Sequence, residues 1–376
     1  MSVPDRLSAL QRAIQAYRTA ILTLDDAALT ALQTAYSPSR ERLLSVIDAL
    51  TGQITSGGTL TTSEAMELGR ARELIRLIEV ETSKLATLTG EIVPNAQSQA
   101  VAQALERARR LTIASGLDTR SAARVAARWT SLNSSAVTDL VGSLSDGSPL
   151  ADWIERVVPE SVQTVRDTLL DGVARGINPE DLARQLAAAT DLPLQRAMTT
   201  TRSVVMDAYR SASIASYEAN QDILEPFWEW SAALDSTTCN ACVSLSGQQF
   251  PITVRFQPSH RNCRCTSLPV LRDAPLLGHI QTGPEWFAEQ PAAWQRSRFP
   301  VGLRDDFDAG RVGIQDMAHL RRDEVWGDSY QVASISQARA QGRSRRSGGG
   351  RVAGGGGGTR TGATLRGGDR VAAGGR

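Results

Sequence analysis

Residues 228–265 decide the fold of the non-helical part of this 376-residue chain, and they read WEWSAALDSTTCNACVSLSGQQFPITVRFQPSHRNCRC. Two tryptophans alternate with Glu229, which is typical of a short strand. A polar turn follows at 235–238, and a second β-like stretch follows at 250–256. The segment is therefore predicted to be a small module that contains strands.

All four cysteines of the chain lie in this module, together with one of its three histidines. The order is C-x2-C followed by H-x2-C-x-C, and two turns that each direct ligands at one centre are typical of a tetrahedral zinc site. Five candidate ligands compete for four places. The first choices are Cys239, Cys242 and Cys263, and the fourth ligand is either His260 or Cys265.

The cysteines could also serve in three ways that need no metal. Disulfides would satisfy the count, but residues 1–10 carry Asp5 and Arg6 and no apolar run, so no export signal is predicted. The chain is then expected to stay in a reducing compartment, where disulfides are rare. Redox catalysis normally needs C-x2-C at the start of a helix, whereas here the motif is expected to sit in a polar turn that begins at Asp235. Idle thiols are the third alternative.

The predicted metal has a structural role. A thiolate-rich ligand set weakens the Lewis acidity of zinc, and catalytic zinc sites usually combine histidine and carboxylate ligands with an open position. No stretch of about eighteen apolar residues occurs, so no contact with a membrane interior is expected. The sequence thus predicts a structural zinc and no enzymatic activity.

The rest of the chain is predicted to be mostly helical, in an α+β fold. Apolar residues near the start recur at three- and four-residue spacing: Leu7, Leu10, Ile14 and Tyr17. One helix is expected to end near Thr87 and the next to begin at Pro94, and a long helix is expected after Pro193. The predicted divisions are a helical region at 1–133, a domain at 134–272 with the metal module at 235–270, a small mixed subdomain at 273–337 and a tail at 338–376.

The tail is rich in glycine and arginine, and it is predicted to be disordered because it has too few apolar residues to offset its ordering entropy. From residue 339 onward the sequence contains nine arginines and one acid, a net charge of +8. Residues 1–338 therefore carry a net charge of about −7. Flexible arginines neutralise phosphates without selecting a base sequence. The predicted DNA contacts are Arg343, Arg345, Arg346, Arg351 and Arg360, and the alternative is a solvated tail without function.

Several motifs together resemble the phage Mu protein F-like head-morphogenesis family, also called minor capsid proteins. The most specific are LDSTTCNAC at 234–242, GQQF at 247–250 and PSHRNCRC at 258–265. The segments RSVVMDAY at 202–209 and TGPEWF at 282–287 are also similar to the family pattern, and the likeness extends over about 135–335. Val204 stands where the family commonly has glutamate, and the first third of the chain resembles no known family.

The resemblance implies a minor structural protein of a tailed-phage head, acting in procapsid assembly near the portal. The implied partners are the portal protein or the major capsid protein, with packaged DNA as a further partner through the tail. The implied location is the virion head, after a period in the host cytoplasm. Two alternatives stay open: a head-associated enzyme such as a nuclease or protease, and a DNA-binding protein that acts through its tail.

Overall fold

The structure is a computed structural model of the chain, and it describes residues 3–56, 61–115, 119–142, 148–258, 260, 263–272, 281–322 and 329–348. Helices dominate these residues and two small antiparallel sheets accompany them, so the prediction of a predominantly helical α+β fold is confirmed. No helix in the described ranges is both long enough and apolar enough to cross a bilayer.

Within the described residues, eight helices precede the first strand. They are α1 (Val3–Leu22), α2 (Asp26–Ser56), α3 (Thr62–Glu67), α4 (Gly69–Ala114), α5 (Thr119–Arg128), α6 (Ser134–Thr138), α7 (Leu150–Ala174) and α8 (Pro179–Glu218). Helices α2, α4, α7 and α8 pack into a bundle, because each presents an apolar stripe to the others. The centre of this bundle is fully buried at Leu32, Leu74, Val165 and Leu186.

Two predicted helix boundaries are wrong. Helix α4 continues from Gly69 through Thr87 and Pro94, and α8 begins fourteen residues before Pro193 and continues through it. Proline removes one helical hydrogen bond at each place. The buried faces of both helices continue on either side of the proline, and this packing outweighs the local loss.

The boundary between α7 and α8 has clear local causes. Helix α7 ends at Ala174, and Gly176 follows with a φ of +62°, a left-handed conformation that glycine adopts without strain. The side chain of Asn178 accepts a hydrogen bond from the Glu180 backbone N–H, and Pro179 is the first residue of α8.

The predicted tryptophan strand is the central strand of a three-stranded antiparallel sheet. This strand, β1 (Leu224–Ser231), pairs with β2 (Gln249–Pro251) on one side and β3 (Thr266–Leu271) on the other. Helix α9 (Asn240–Leu245) lies between β1 and β2 in the chain. The β-like stretch expected at 250–256 forms a strand only at its beginning. Aromatic rings fill the core here, and Trp230 stacks on Phe256 with ring centroids 4.2 Å apart.

The C-terminal part packs as a smaller unit against α9. It contains α10 (Gly283–Ala288), α11 (Ala292–Ser297), α12 (Arg304–Asp308), two short 3-10 helices (Val301–Leu303 and Ile314–Asp316), a hairpin of β4 (Ala318–Arg321) and β5 (Ser329–Val332), and α13 (Ile335–Gly348). Trp286 and Trp294 are partly buried in it and meet edge to face, with ring centroids 5.5 Å apart.

Helix α13 corrects the predicted start of the tail at residue 338. A capping box begins this helix, because the Ser334 side chain accepts from the Gln337 N–H and the Gln337 side chain accepts from the Ser334 N–H. Ala338 is fully buried, and Arg339 forms an ion pair with Asp306 at 2.7 Å. These contacts stabilise a helix that composition alone did not predict. Residues 349–376 lie outside the described residues.

A buried polar seam joins α1 to the sheet. The hydroxyl group of Tyr17 lies 2.8 Å from the Thr266 hydroxyl and donates to the Ser267 carbonyl at 3.2 Å. Tyr217 of α8 donates to the same carbonyl at 3.1 Å. Burial raises the pKa of both tyrosines, so both stay protonated and serve as donors.

Candidate metal centre

The five predicted ligands come from two short segments that the sheet brings together. Cys239 is the N-cap residue of α9, so the C-x2-C motif begins a helix, and the expectation that it lies in a polar turn is wrong. The Cys239 sulfur accepts a hydrogen bond from the Cys242 N–H at 3.4 Å. Cys263 and Cys265 lie immediately before β3, and His260 lies in the loop that leads to them. Because β1 pairs with both β2 and β3, the two segments meet at one end of the sheet.

The ligand atoms form two overlapping groups that share Cys242. In one group Cys239, Cys242 and His260 have ligand atoms within 4.8 Å of one another, and in the other Cys242, Cys263 and Cys265 do. The Cys242 sulfur lies 3.8 Å from His260 Nε2 and 3.9 Å from the Cys263 sulfur. Zinc–sulfur bonds of roughly 2.3 Å in a tetrahedron separate two ligands by about 3.8 Å, so this spacing fits a metal ion.

The geometry brings all five candidates together and selects no single set of four. The three first choices, Cys239, Cys242 and Cys263, span both groups, and His260 and Cys265 each lie in one. These last two differ in their surroundings. Cys265 is 3% exposed, whereas His260 is exposed at the surface. The two alternatives for the fourth ligand therefore stay open.

The protonation of the thiols also fits a cation. A hydrogen bond with Cys242 lowers the pKa of Cys239 to about 4, although burial acts in the opposite direction. Hydrogen bonds with Cys239, Cys263 and Cys265 raise the pKa of Cys242. One thiol of the pair is thus ionised while its neighbour keeps its proton, and a divalent cation would allow both to be deprotonated together.

A buried arginine of α8 fastens the second ligand segment. Arg210 is 3% exposed, and its guanidinium group donates to the carbonyl oxygens of Cys265, at 2.9 Å, and of Cys263. It forms an ion pair with Asp207 at 3.1 Å and lies over the ring of Phe256, 4.7 Å from the centroid. Arg210 therefore fixes the backbone of two candidate ligands. Sequence reasoning missed it, although an arginine on the otherwise apolar face of α8 was a usable signal.

The turn before Cys239 is held by a carboxylate. One oxygen of Asp235 accepts from the Thr237 N–H at 2.9 Å and from the hydroxyl groups of Thr237 and Thr238, and the other forms an ion pair with Arg264 at 3.1 Å. Partial burial raises the pKa of Asp235, but these hydrogen bonds outweigh it and the pKa lies below its usual value. This network explains why aspartate and threonine precede the first cysteine.

The C-terminal unit holds the first ligand segment from the other side. Arg298 donates to the Asn240 side chain at 3.1 Å and to the Thr238 carbonyl, and Asn240 donates back to the Arg298 carbonyl at 2.6 Å. A Cβ atom at Gly283 would lie 1.9 Å from the Val243 carbonyl oxygen, so only glycine permits this contact. The metal centre is therefore enclosed between α8 and the C-terminal unit.

Of the predicted nucleic-acid residues, the structure describes Arg343, Arg345 and Arg346, and two of these three are used in packing. Arg345 forms an ion pair with Asp316 at 2.8 Å, and Arg346 donates to the Arg311 carbonyl, so both stabilise the packing of α13. Arg343 is exposed. Arg351 and Arg360 lie outside the described residues.

Comparison with known proteins gives one match. Residues 163–268 match the family model described as Phage Mu protein F like protein. The match begins within α7 and ends within β3, so it spans α8, α9 and all five candidate ligands. No curated protein and no solved structure matches the chain. Residues 163–268, which contain the candidate metal centre, are therefore similar to phage Mu protein F like proteins, the family that the cysteine motifs indicated.

Proposed function

We propose that this protein is a minor structural component of a tailed-phage head that acts in head assembly near the portal, and that zinc stabilises its cysteine module. The observation that carries the proposal is the convergence of all five candidate ligands inside the region that matches the phage family. Cys239, Cys242 and Cys263, with His260 or Cys265, would hold the ion. When bound, it would cross-link the two ligand segments.

A structural role for the metal is supported by its surroundings. A cavity of about 280 Å³ opens beside the cluster, and the described residues that line it include Arg202 and Arg264 but no carboxylate that could act as a general base. Three of the four sulfurs belong to buried residues. Arginine and backbone contacts therefore dominate the site, which favours a fixed fold over hydrolysis of a substrate.

Metal analysis of the pure, reduced protein tests the zinc. We expect about one zinc ion per chain, lost on mild chelation and restored by added zinc. The exposed Gln249 of the same module offers a control, since Gln249→Ala should leave the zinc content unchanged. A metal-free protein with an intact module would contradict the proposal.

Genetic complementation tests the head role. A phage with its copy of the gene interrupted should assemble defective heads, and wild-type protein supplied in trans should restore them. Purified heads should then contain the protein at a low copy number, and chemical cross-linking should connect it to the portal protein or to the major capsid protein. Normal heads without the protein would contradict the proposal.

The basic tail is proposed to contact packaged DNA. Beyond residue 348 the chain carries five arginines and one acid, and none of these arginines belongs to α13. Truncation after residue 348, which preserves α13 and its ion pairs, should weaken DNA binding without changing the fold. Unchanged DNA affinity at low salt would contradict this role for the tail.

A further inference from the structure

Among the helices that precede the sheet, one segment departs from the overall negative charge of residues 1–338. Residues 106–130 contain six arginines and two acids, a net charge of +4, whereas residues 1–338 as a whole carry about −7. The segment covers the end of α4 and all of α5, and it lies outside residues 163–268. A second basic segment, residues 255–272 with four arginines and no acid, belongs to the cysteine module.

Helix α5 presents three of these arginines along one side. Arg120, Arg124 and Arg128 recur every four residues, so they lie close to one line, with about 6 Å of helix rise between neighbours. All three are exposed, whereas Val125 on the opposite side is 2% exposed and packs into the core. The helix therefore uses one face for packing and presents guanidinium groups on another.

Ion pairs neutralise only part of this charge. Arg110 pairs with Glu106 at 2.5 Å and Arg128 pairs with Asp222 at 2.9 Å. Arg109, Arg120 and Arg124 form no ion pair with any described residue. On α8, by contrast, four arginines do form ion pairs: Arg184, Arg196, Arg202 and Arg210.

A groove lies beside Arg109. Arg109 lines a cavity of about 220 Å³ together with Trp129, Ser131 and Glu106, and the Glu106 carboxylate is paired with Arg110. The side chain of Asn220 fixes the backbone next to Trp129, because it accepts from the Thr130 N–H at 2.7 Å and donates to the Thr130 carbonyl at 2.9 Å. The groove thus offers a guanidinium group, a hydroxyl group and an indole ring, and its one carboxylate is neutralised by an arginine.

We infer that Arg109, Arg110, Arg120, Arg124 and Arg128, termed here the α4–α5 arginine surface, bind the phosphate backbone of a nucleic acid. Unpaired arginines and hydroxyl groups are the side chains that contact phosphates in protein–nucleic acid complexes. A partly exposed tryptophan beside them provides a surface on which a base can stack. An acidic polypeptide would use the arginines but would not need the indole.

Charge neutralisation in the full-length protein tests the surface. The variant Arg109→Gln, Arg120→Gln and Arg124→Gln removes three unpaired charges without breaking an ion pair. Arg72→Gln, Arg76→Gln and Arg166→Gln form the matched control, because these arginines are also exposed and form no ion pair with a described residue. The probes are short fluorescent DNA of arbitrary sequence, duplex and single-stranded, and poly-glutamate as the acidic polypeptide.

The surface variant should bind DNA at least about tenfold more weakly than wild type at low salt. The slope of log affinity against log salt concentration should be smaller in magnitude by about 2 to 3. The control should match wild type. A greater loss for single strands would support stacking on Trp129, and a greater loss for duplex would support contacts to phosphates alone. DNA affinity equal to that of the control would overturn the inference, as would loss of poly-glutamate binding with DNA binding retained.

A tail variant separates this surface from the proposed tail contact. Replacing the five arginines beyond residue 348 with glutamine should leave a residual DNA affinity that the surface substitutions then remove. If the tail variant alone abolished binding, the α4–α5 arginine surface would have no role in DNA binding. The outcome does not depend on the head-assembly role, because that role is tested by complementation.

Discussion

The helical bundle and the cysteine module stabilise their chains by different means. In the bundle of α2, α4, α7 and α8, long helices bury many apolar side chains, such as Leu32 and Leu74. The described part of residues 235–265 has a six-residue helix and a three-residue strand, and polar side chains hold its backbone beside a small aromatic core. A substitution should therefore have a graded effect in the bundle and an abrupt one in the module.

Loss of the central ligand should have the largest effect. Cys242 belongs to both ligand groups, so Cys242→Ala should abolish stable zinc binding, a loss on the order of 10 kcal/mol of metal-binding free energy. Hydrogen exchange should become fast in residues 235–265 while α2, α4 and α7 keep their protection. Full zinc occupancy in this variant, measured by elemental analysis, would show that the two ligand groups do not share one ion.

Removal of the Arg210 guanidinium group should have the second-largest effect. Arg210→Met leaves Asp207 and two cysteine carbonyls without their buried partner, and we expect about 4 kcal/mol lower stability in chemical denaturation. Arg166→Met, at an exposed arginine of α7, serves as the control and should change stability by less than about 0.5 kcal/mol. Equal stability for the two variants would mean that Arg210 does not hold the module.

A cavity in the bundle should have a smaller and separate effect. Leu74 is fully buried, so Leu74→Ala should lower the free energy of unfolding by about 3 kcal/mol. Zinc content should stay at the wild-type level, because Leu74 contacts no part of the module. Val80→Ala, at a residue 38% exposed on the same helix, should cost much less. Reduced zinc binding in Leu74→Ala would show that the two regions unfold together.

Acid should weaken the bundle through one carboxylate. Burial raises the pKa of Glu81, but hydrogen bonds from Ser39, Lys84 and Arg42 outweigh it, so the pKa lies below the ordinary value of 4.5. The stability that depends on this ionised group is present above pH 4.5 and is lost as the pH falls through the lower folded value. Glu81→Gln should cost about 1.5 kcal/mol at neutral pH. Between pH 4.5 and pH 3, the free energy of unfolding of the Glu81→Gln variant should fall less than that of wild type, as measured by urea denaturation.

The sequence predicted the two regions with unequal success, for physical reasons. Apolar periodicity predicted the helices, and cysteine spacing predicted the ligands, because both signals are local in the chain. Pro94 and Pro193 led to wrong helix boundaries. The helical hydrogen bond that each proline removes is offset by packing against helices that are distant in sequence. Arg210 and Arg298 were missed for the same reason. Each acts on a backbone more than fifty residues away, and no short motif encodes that distance.

The seam between α1 and β3 has a consequence for the order in which the chain can fold during synthesis. Tyr17 is separated by 249 residues from Thr266, which lies beside its hydroxyl group. A ribosome must therefore release most of the protein before the first helix finds the strand that completes its burial. Until then α4 and α8 can cover part of the apolar face of that helix, but the end of Tyr17 that lies against the strand stays exposed to chaperones or to other nascent chains.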